Sequence, residues 1–472
     1  METILSYLKD RVGYDNIDRN FYRKIDEWNR WYTGMGTEFH RTKVNNGLSV
    51  IEHDLCQMNM AKKIAEDWAN LLMNEKTRID TDDENAAEFL RGKNGKGGVL
   101  GENDFWAAIN QLVEQSFALG TGAVVLRLEG ARVDGTGCLL PSPDGKIGLE
   151  YVTAPNIIPL SWKGNTVTDA AFVGNLTIGG QALTYLQIHR KEGDGYVIDS
   201  VCFSNKTGKK VPLPEGICQT LRTKSNTPWF VIIKPNIVNN LTDLPMGISV
   251  YANSLDILKG LDLCYDSFNM EFYLGKKMVF LRKDLMMQDQ EGRIYAPQDC
   301  NRQLFMYIGD KNVDGDLLPQ EFNPALRVED HTKAIQQHLN YLSCKCGFGD
   351  RYYRFDGNFS PATATEVISE DAALYRTVRK HEVLLEQPLV RLTKAILEIG
   401  KDILGISMKD DVNVSILFDD SIIEDRTAEQ KRDMDLVSMG LMLDWEFRMK
   451  YYGETEEEAK KRCEEGLRWT TK

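Results

Sequence analysis

Apolar residues in the first 76 positions recur at helical spacing. The clearest run covers residues 48–75, where Met58, Ala61, Ala65, Trp68 and Leu72 fall three and four apart and predict a helix with one core face. A glycine-rich stretch at 91–101 follows. It leads into a helix that Asn103 is placed to cap, with Trp106, Ile109, Val113 and Phe117 on the buried side. Gly120 and Gly122 stop that helix, and residues 123–128 read as a strand. Between 146 and 234 the pattern changes to short β-rich runs, at 147–152, 183–190, 196–203 and 229–233, separated by Gly, Pro, Asn and Asp. Residues 1 to about 240 therefore predict a mixed α+β body.

After Pro245-Met246-Gly247 the spacing predicts a helix over 249–274, about 39 Å long. Leu258, Leu261, Tyr265, Phe268 and Phe272 form its apolar line, and Lys259, Asp262, Asp266 and Asn269 form a polar stripe on another face. Residues 275–326 return to strands and turns, with strands at 278–281 and 303–308. A second helix starts near Val328, carries Ile335, Leu339, Leu342 and Cys346, and ends at Gly347-Phe348-Gly349. The loop 348–360 comes next. Pro361 then opens a helix reaching to about 404, roughly 66 Å long. Its seam is Leu374, Val378, His381, Leu385, Leu389, Leu392, Ile396, Ile399 and Ile403, and Pro388 is expected to kink it. A strand at 412–418 and helices at 427–443 and 455–465 complete the chain.

The length of 472 residues fits roughly three domains or one elaborate subunit. With 42% hydrophobic and 27% charged residues, the composition is that of a folded, water-soluble protein. The longest apolar runs, 229–233 and 304–308, are far shorter than the ~20 residues a membrane-spanning helix needs. Glu2 and the absence of a basic-then-apolar tract argue against a secretory signal, so a cytoplasmic start is expected. A net charge of −13 argues against a module that grips DNA, because grip comes from cations neutralising phosphates; DNA as a passing cargo is still compatible. Nine scattered cysteines without framework spacing read as reduced thiols.

Signatures of catalysis are missing. No Gly-x-x-x-x-Gly-Lys-Ser/Thr loop occurs, and the nearest stretch, from Gly92 through Lys93, Gly95 and Lys96 to Gly98, lacks the terminal pair and reads as a surface loop. There is no Gly-x-Ser-x-Gly elbow, and His381-Glu382 lacks the second histidine of a zinc-protease helix. Asp310, Asn312, Asp314, Asp316 and Glu321, with Gly315, fit the calcium-loop string, although a strand precedes it and Pro319 and Pro324 obstruct an exiting helix; an acidic turn is the competing reading. His331, His338, Cys344 and Cys346 invite a zinc reading, against which stand surface histidines and core thiols. Arg351-Tyr352-Tyr353-Arg354 combines cations with flat rings, as nucleic-acid contacts do; the alternative is a packed aromatic loop.

Four stretches resemble the portal proteins of tailed bacteriophages, of the siphovirus type. They are Lys63-Ile-Ala-Glu-Asp-Trp-Ala-Asn-Leu-Leu-Met-Asn-Glu75, Ala118-Leu-Gly-Thr-Gly-Ala-Val124, Pro245-Met-Gly-Ile-Ser-Val-Tyr-Ala-Asn-Ser-Leu-Asp256 and Thr363-Ala-Thr-Glu-Val-Ile-Ser369, the last extended by Tyr375-Arg-Thr-Val-Arg-Lys-His-Glu382. Their order, with the helix, insert, helix, loop, long-helix plan, is that family's. The resemblance implies an α+β portal fold, with no enzymatic activity and no cofactor. Residues 1–248 would form a wing, to which 348–423 add a tunnel loop, long helix and strand. Residues 249–274 and 328–347 would form a stem, 275–327 a clip, and 424–472 a short helical crown.

The resemblance further implies a homo-oligomeric ring of about twelve subunits at one capsid vertex of the virion, assembled in the host bacterial cytoplasm. Double-stranded DNA would pass through it during packaging and ejection. Expected partners are the terminase large subunit, the major capsid and scaffolding proteins, and a head-completion or adaptor protein; no membrane is expected. Arg351, Tyr352, Tyr353 and Arg354 would sit in the tunnel loop, with the two arginines as breakable phosphate contacts. Lys259, Asp262 and Asp266 are expected to face the channel or a neighbouring subunit, and Lys276, Lys277, Arg282 and Lys283 either DNA at the clip entrance or a solvated interface. An acidic wall would let DNA slide rather than stick. The alternatives are a calcium-dependent interaction protein using 310–321 and a packaging-associated enzyme.

Overall fold

The computed structural model describes residues 2–14, 17–45, 50–74, 76–93, 97–214, 216–281, 287–288, 290–291, 294–295, 305–307, 320–355, 364–418, 426–440, 442–452, 454–456 and 458–463. The chain begins with helices α1 (Glu2–Val12) and α2 (Arg19–Thr33). A two-stranded ribbon follows, β1 (Arg41–Asn45) against β2 (Val50–Asp54), and then α3 (Met60–Leu72). The expected helix over 48–75 is thus only its second half. Val50 and Ile51 pair with Val44 and Asn45 as strand residues, and Asn59, with φ near 55°, sets the turn from which α3 starts.

Strand β3 (Arg78–Thr81), α4 (Glu84–Arg91), α5 (Gly98–Glu102) and α6 (Phe105–Leu119) come next. Part of the glycine-rich stretch is therefore helical. Asn103 does not cap α6, because Asp104 occupies the cap position. Its amide instead donates to the Val99 and Ile147 carbonyls and accepts from the Leu149 N–H. One side chain thereby ties α5 to the neighbouring sheet.

The strands of the first half are β4 (Gly122–Glu129), β5 (Arg132–Val133), β6 (Leu139–Leu140), β7 (Lys146–Thr153), β8 (Ile157–Lys163), β9 (Thr166–Ile178) and β10 (Gln181–Glu192). After them come β11 (Gly195–Ser204), β12 (Lys210–Val211), β13 (Thr220–Arg222) and β14 (Phe230–Ile233). Most of them make two antiparallel layers, ordered β12-β11-β10-β9-β8, with β13 also on β11, and β14-β4-β7, while β5 and β6 pair as a separate ribbon. Neighbouring residues in a strand point to opposite faces, so both faces of the larger sheet are apolar. Ile158, Ala171, Val173, Leu186 and Ile188 lie under Ile4 and Leu8 of α1, while Ile157, Ala170 and Phe172 meet Val125, Val152 and Phe230 of the smaller sheet. Strands β8 and β9 are absent from the sequence-based expectation: Pro159 lies inside the first and Asp169 and Gly174 inside the second, residues that read as turns.

The second half is α7 (Leu255–Leu274), β15 (Met278–Leu281), β16 (Met287–Gln288), β17 (Ile294–Tyr295), β18 (Phe305–Tyr307), β19 (Gln320–Phe322) and α8 (Val328–Lys345). Then come α9 (Ala364–Asp402, enclosing Pro388), β20 (Val414–Leu417), α10 (Arg426–Ser438) and α11 (Asp444–Tyr452). Helix α7 starts six residues later than expected and is about 30 Å long. It packs on α8, where a Cβ on Gly260 would collide with the His338 ring. Strand β20 pairs with β3, bringing the end of α9 back onto the first body. With 44% helix and 24% strand, the mixed α+β expectation stands. No helix among the described residues is long and apolar enough to cross a membrane.

Candidate functional site

Trp68 of α3 is fully buried and organises the middle of the molecule. Its ring stacks on Phe348 at 4.6 Å and meets the edge of His381 at 4.7 Å, while its Nε1 donates to the Cys346 carbonyl at 3.1 Å. Phe117 of α6 closes the cluster, 5.0 Å from His381. His381 accepts from the Asn236 N–H through Nδ1. Burial pushes its pKa down to about 3, so it is a neutral core residue. Nearby, Gly120 at φ 88° touches the backbone of Gly247 so closely that a Cβ on either would strike the other's carbonyl oxygen, and the Val250 N–H donates to Phe117 O. Burying these rings contributes about 1.5–3 kcal/mol each.

This hub fixes the segment 347–355. Gly347, at φ 90°, turns the chain out of α8, and Phe348 is sandwiched between Trp68 and Tyr352, the latter at 4.5 Å. Gln336 of α8 brackets the next residues: its Nε2 donates to the Tyr353 carbonyl at 2.9 Å and its Oε1 accepts from the Phe355 N–H at 2.7 Å. Tyr353 is buried, and burial, then the Asp67 carboxylate, push its hydroxyl pKa up. Of the Arg351-Tyr352-Tyr353-Arg354 rings, Tyr353 therefore turns inward, Tyr352 stacks on Phe348 while remaining 39% exposed, and both arginines are exposed. Arg351 takes a left-handed φ of 66°, a conformation that costs a non-glycine residue about 1–2 kcal/mol. Its carbonyl accepts from Arg354 Nε. The rest of the loop, 356–360, lies outside the described residues.

Asp262 and Asp266 require a correction. Rather than facing outward they are 3% and 6% exposed and bind their own subunit. Asp262 Oδ1 accepts from the Met58 N–H at 2.8 Å, and its Oδ2 takes His40 Nε2 at 3.0 Å. One turn on, Asp266 accepts from the Cys56 N–H at 2.9 Å and pairs with His53 at 3.2 Å. The base of the β1–β2 ribbon is therefore stapled to α7 by two carboxylates. Lys259, the third member of that stripe, is half-buried and pairs with exposed Asp256 at 3.1 Å.

Thr37, His40 and Asp262 lie in a line that sequence reasoning missed, with Thr37 Oγ1 3.1 Å from His40 Nδ1. The order resembles a nucleophile–base–acid relay. However, the Thr37 backbone N–H also donates to Nδ1 at 3.0 Å, which makes the group a capping box for the short helical turn Glu38–His40. The only sequence signal was a histidine at each end of the ribbon.

Among the remaining candidates, Lys276 lies over the Tyr273 ring and Lys277 pairs with Glu321 of β19 at 2.6 Å. Arg282 and Lys283, and the calcium-string residues Asp310, Asn312, Asp314 and Asp316, lie outside the described residues. His331 is 3.6 Å from Glu271, His338 packs on Gly260, Cys344 is exposed, and burial pushes the Cys346 thiol up to about 12. No cluster of three His, Cys, Asp or Glu side chains suited to a metal occurs among the described residues.

Residues 239–466 match the family described as Phage portal protein, SPP1 Gp6-like. The match supports a phage portal protein. It takes in α7, α8, the 347–355 segment, α9 and the two C-terminal helices, which is the half of the chain that holds the exposed arginines. The phage portal family is structural rather than enzymatic. No curated protein matches the chain.

Proposed function

We propose that this chain is a siphovirus-type portal subunit, forming a ring of about twelve copies at one capsid vertex. The observation that carries the reading is the family match over 239–466, whose interval contains a helix pair, its insert, the 347–355 segment and a long helix in portal order. In this reading residues 1–248, with 348–423, are the wing; 249–274 and 328–347 the stem; 275–327 the clip; and 424–472 the crown. The ring is the channel for double-stranded DNA in packaging and ejection. It docks the terminase large subunit and later head-completion proteins, sits among capsid and scaffolding proteins, and is a virion component.

Arg351 and Arg354 are the phosphate contacts of this reading. Their loop root is clamped to α3 and α8, so both guanidinium groups are held on a fixed base. About twelve copies at −13 each give a strongly acidic ring, against which a few cations make weak, breakable contacts. Imaging of the purified chain tests the proposal. Closed rings near 644 kDa, twelve copies of 53.7 kDa, with a hole wide enough for a duplex are expected. Rings whose arginines all lie outside the hole would overturn the phosphate role.

A further inference from the structure

The two sheets of the first half meet across a row of polar side chains. Along β10, Tyr185, Gln187 and His189 alternate onto the side that faces the smaller sheet. At one end of the row the Arg127 guanidinium of β4 lies over the Tyr185 ring at 4.5 Å, and at the other His189 meets the Phe230 ring of β14 at 5.3 Å. Gln187 stands between them, beside Ser200 of β11, whose hydroxyl is 2.9 Å from Tyr185 OH. Arg127 is ion-paired with Glu150 of β7. Gln187 Oε1, on a residue only 5% exposed, and Arg127 Nε find no protein partner among the described residues. A buried acceptor and a buried donor left unmet in one place are rare in a folded core. Both side chains line a single cavity of about 80 Å3, for which Ile198 and Trp229 supply apolar wall. Exposed Glu129 and Gly216 border the same cavity, so it reaches the surface.

Size, charge and hydrogen bonding together define the occupant. The cavity is about half of the ~150 Å3 known to admit benzene, so it suits a molecule of about three or four non-hydrogen atoms. Arg127 and Glu150 already neutralise each other, and an added ion of either sign would sit half-buried beside a like charge with no counter-charge of its own. The guanidinium can only donate, whereas a half-turn of the Gln187 amide presents either its oxygen or its NH2 to the cavity without moving the backbone. We infer that this cavity is a binding site for a small neutral molecule of the carboxamide or urea class, whose carbonyl accepts from the Arg127 guanidinium and whose N–H groups donate to the Gln187 amide oxygen. Such a molecule bridges the two sheets, since Arg127 belongs to one and Gln187 to the other. The site lies before residue 239, where the family match begins, and does not rest on the portal reading.

Saturation-transfer NMR on the purified full chain tests this with acetamide as the probe, its methyl signal reporting occupancy. Saturable binding with a dissociation constant of about 1–10 mM is expected for a ligand of this size. Acetate, which has the same shape but carries a charge, and N,N-dimethylacetamide, which has no N–H to donate, are each expected to bind about tenfold more weakly. Gln187→Met keeps the length of the side chain and removes its amide. This variant is expected to bind acetamide about tenfold more weakly while holding the parent's circular dichroism and melting midpoint, because it deletes a buried polar atom that the protein itself leaves unmet. Should it fail to fold, the acetate and dimethylacetamide comparisons on the wild-type chain still decide. Acetamide that does not saturate means the cavity takes water only, and the inference fails. It fails equally if acetate or dimethylacetamide binds as tightly as acetamide, or if folded Gln187→Met binds acetamide as the parent does.

Discussion

Replacing Asp262 tests how the ribbon is attached to α7. The Thr37 N–H donates to His40 Nδ1, so the ring proton sits on Nε2 and points at Asp262. The other carboxylate oxygen takes the Met58 N–H. In Asp262→Ala both donors lose their partner in a buried site, at about 1–3 kcal/mol each. Opening of this contact should therefore become easier by about 2–6 kcal/mol. Asp262→Asn is the sharper probe: its oxygen still serves Met58, but its NH2 meets the Nε2–H, donor against donor. That change should cost about 1–3 kcal/mol with wild-type His40, and clearly less in a His40→Ala background. Hydrogen exchange at the Met58 amide reads this directly, since 2 kcal/mol corresponds to an acceleration of about 30-fold. Exchange in Asp262→Ala no faster than in the parent, or an Asp262→Asn cost equal in both backgrounds, would refute the reasoning.

Acid should loosen the base of the α7–α8 pair. The guanidinium and backbone N–H of Arg327 hold the Glu271 carboxyl down at about 2. This contribution is complete above the unfolded value of about 4.3 and is lost as pH falls through about 2; exchange at the Arg327 amide should accelerate over that window, and Glu271→Gln should flatten the dependence. Gly120→Ala should destabilise the chain by about 3 kcal/mol or more, because it combines a positive φ with backbone overlap at Gly247; a melting midpoint equal to the parent's would contradict that packing. If the proposed ring forms, Arg351→Ala/Arg354→Ala should leave its assembly and melting unchanged, since both residues are exposed, while weakening any salt-dependent retention of duplex DNA. Unchanged retention would remove the arginines from the contact.

Regular amphipathic elements were the legible part of the sequence. The seam of α9 and the stripe of α8 are buried in the structure at Val378, Leu385, Leu389 and Ile396, and at Ile335, Leu339 and Leu342, because one side of each helix faces the core. Strands β8 and β9 escaped because Pro159, Asp169 and Gly174 sit inside them and read as turn residues. The ribbon at 41–54 was hidden by the neighbouring helical period of α3. Asp262 and Asp266 were misplaced for a general reason. Carboxylates at helical spacing show that they share a face, but what meets that face here is a segment about 200 residues away, Cys56 and Met58, with two histidines that no local pattern connects to them.

The stretches that carry the portal resemblance converge in space, and where they converge is informative. Trp68 comes from the first, Gly120 from the second, Gly247 from the third and His381 from the extension of the fourth, and in the structure they make one packed hub with Phe117 and Phe348. These residues are legible for a packing reason. A fully buried tryptophan that donates to a carbonyl, a histidine kept neutral by burial and two glycine backbones in contact each admit few substitutes. The exposed arginines at 351 and 354 are under no such constraint from the subunit alone. A resemblance can therefore rest on hub residues while the surfaces that would touch DNA or another copy leave little local pattern. Those surfaces are read instead from what the hub holds in place: Trp68, Phe348 and Gln336 set the base from which the arginine pair projects, and a fault introduced at the hub should displace that pair before it unfolds the chain.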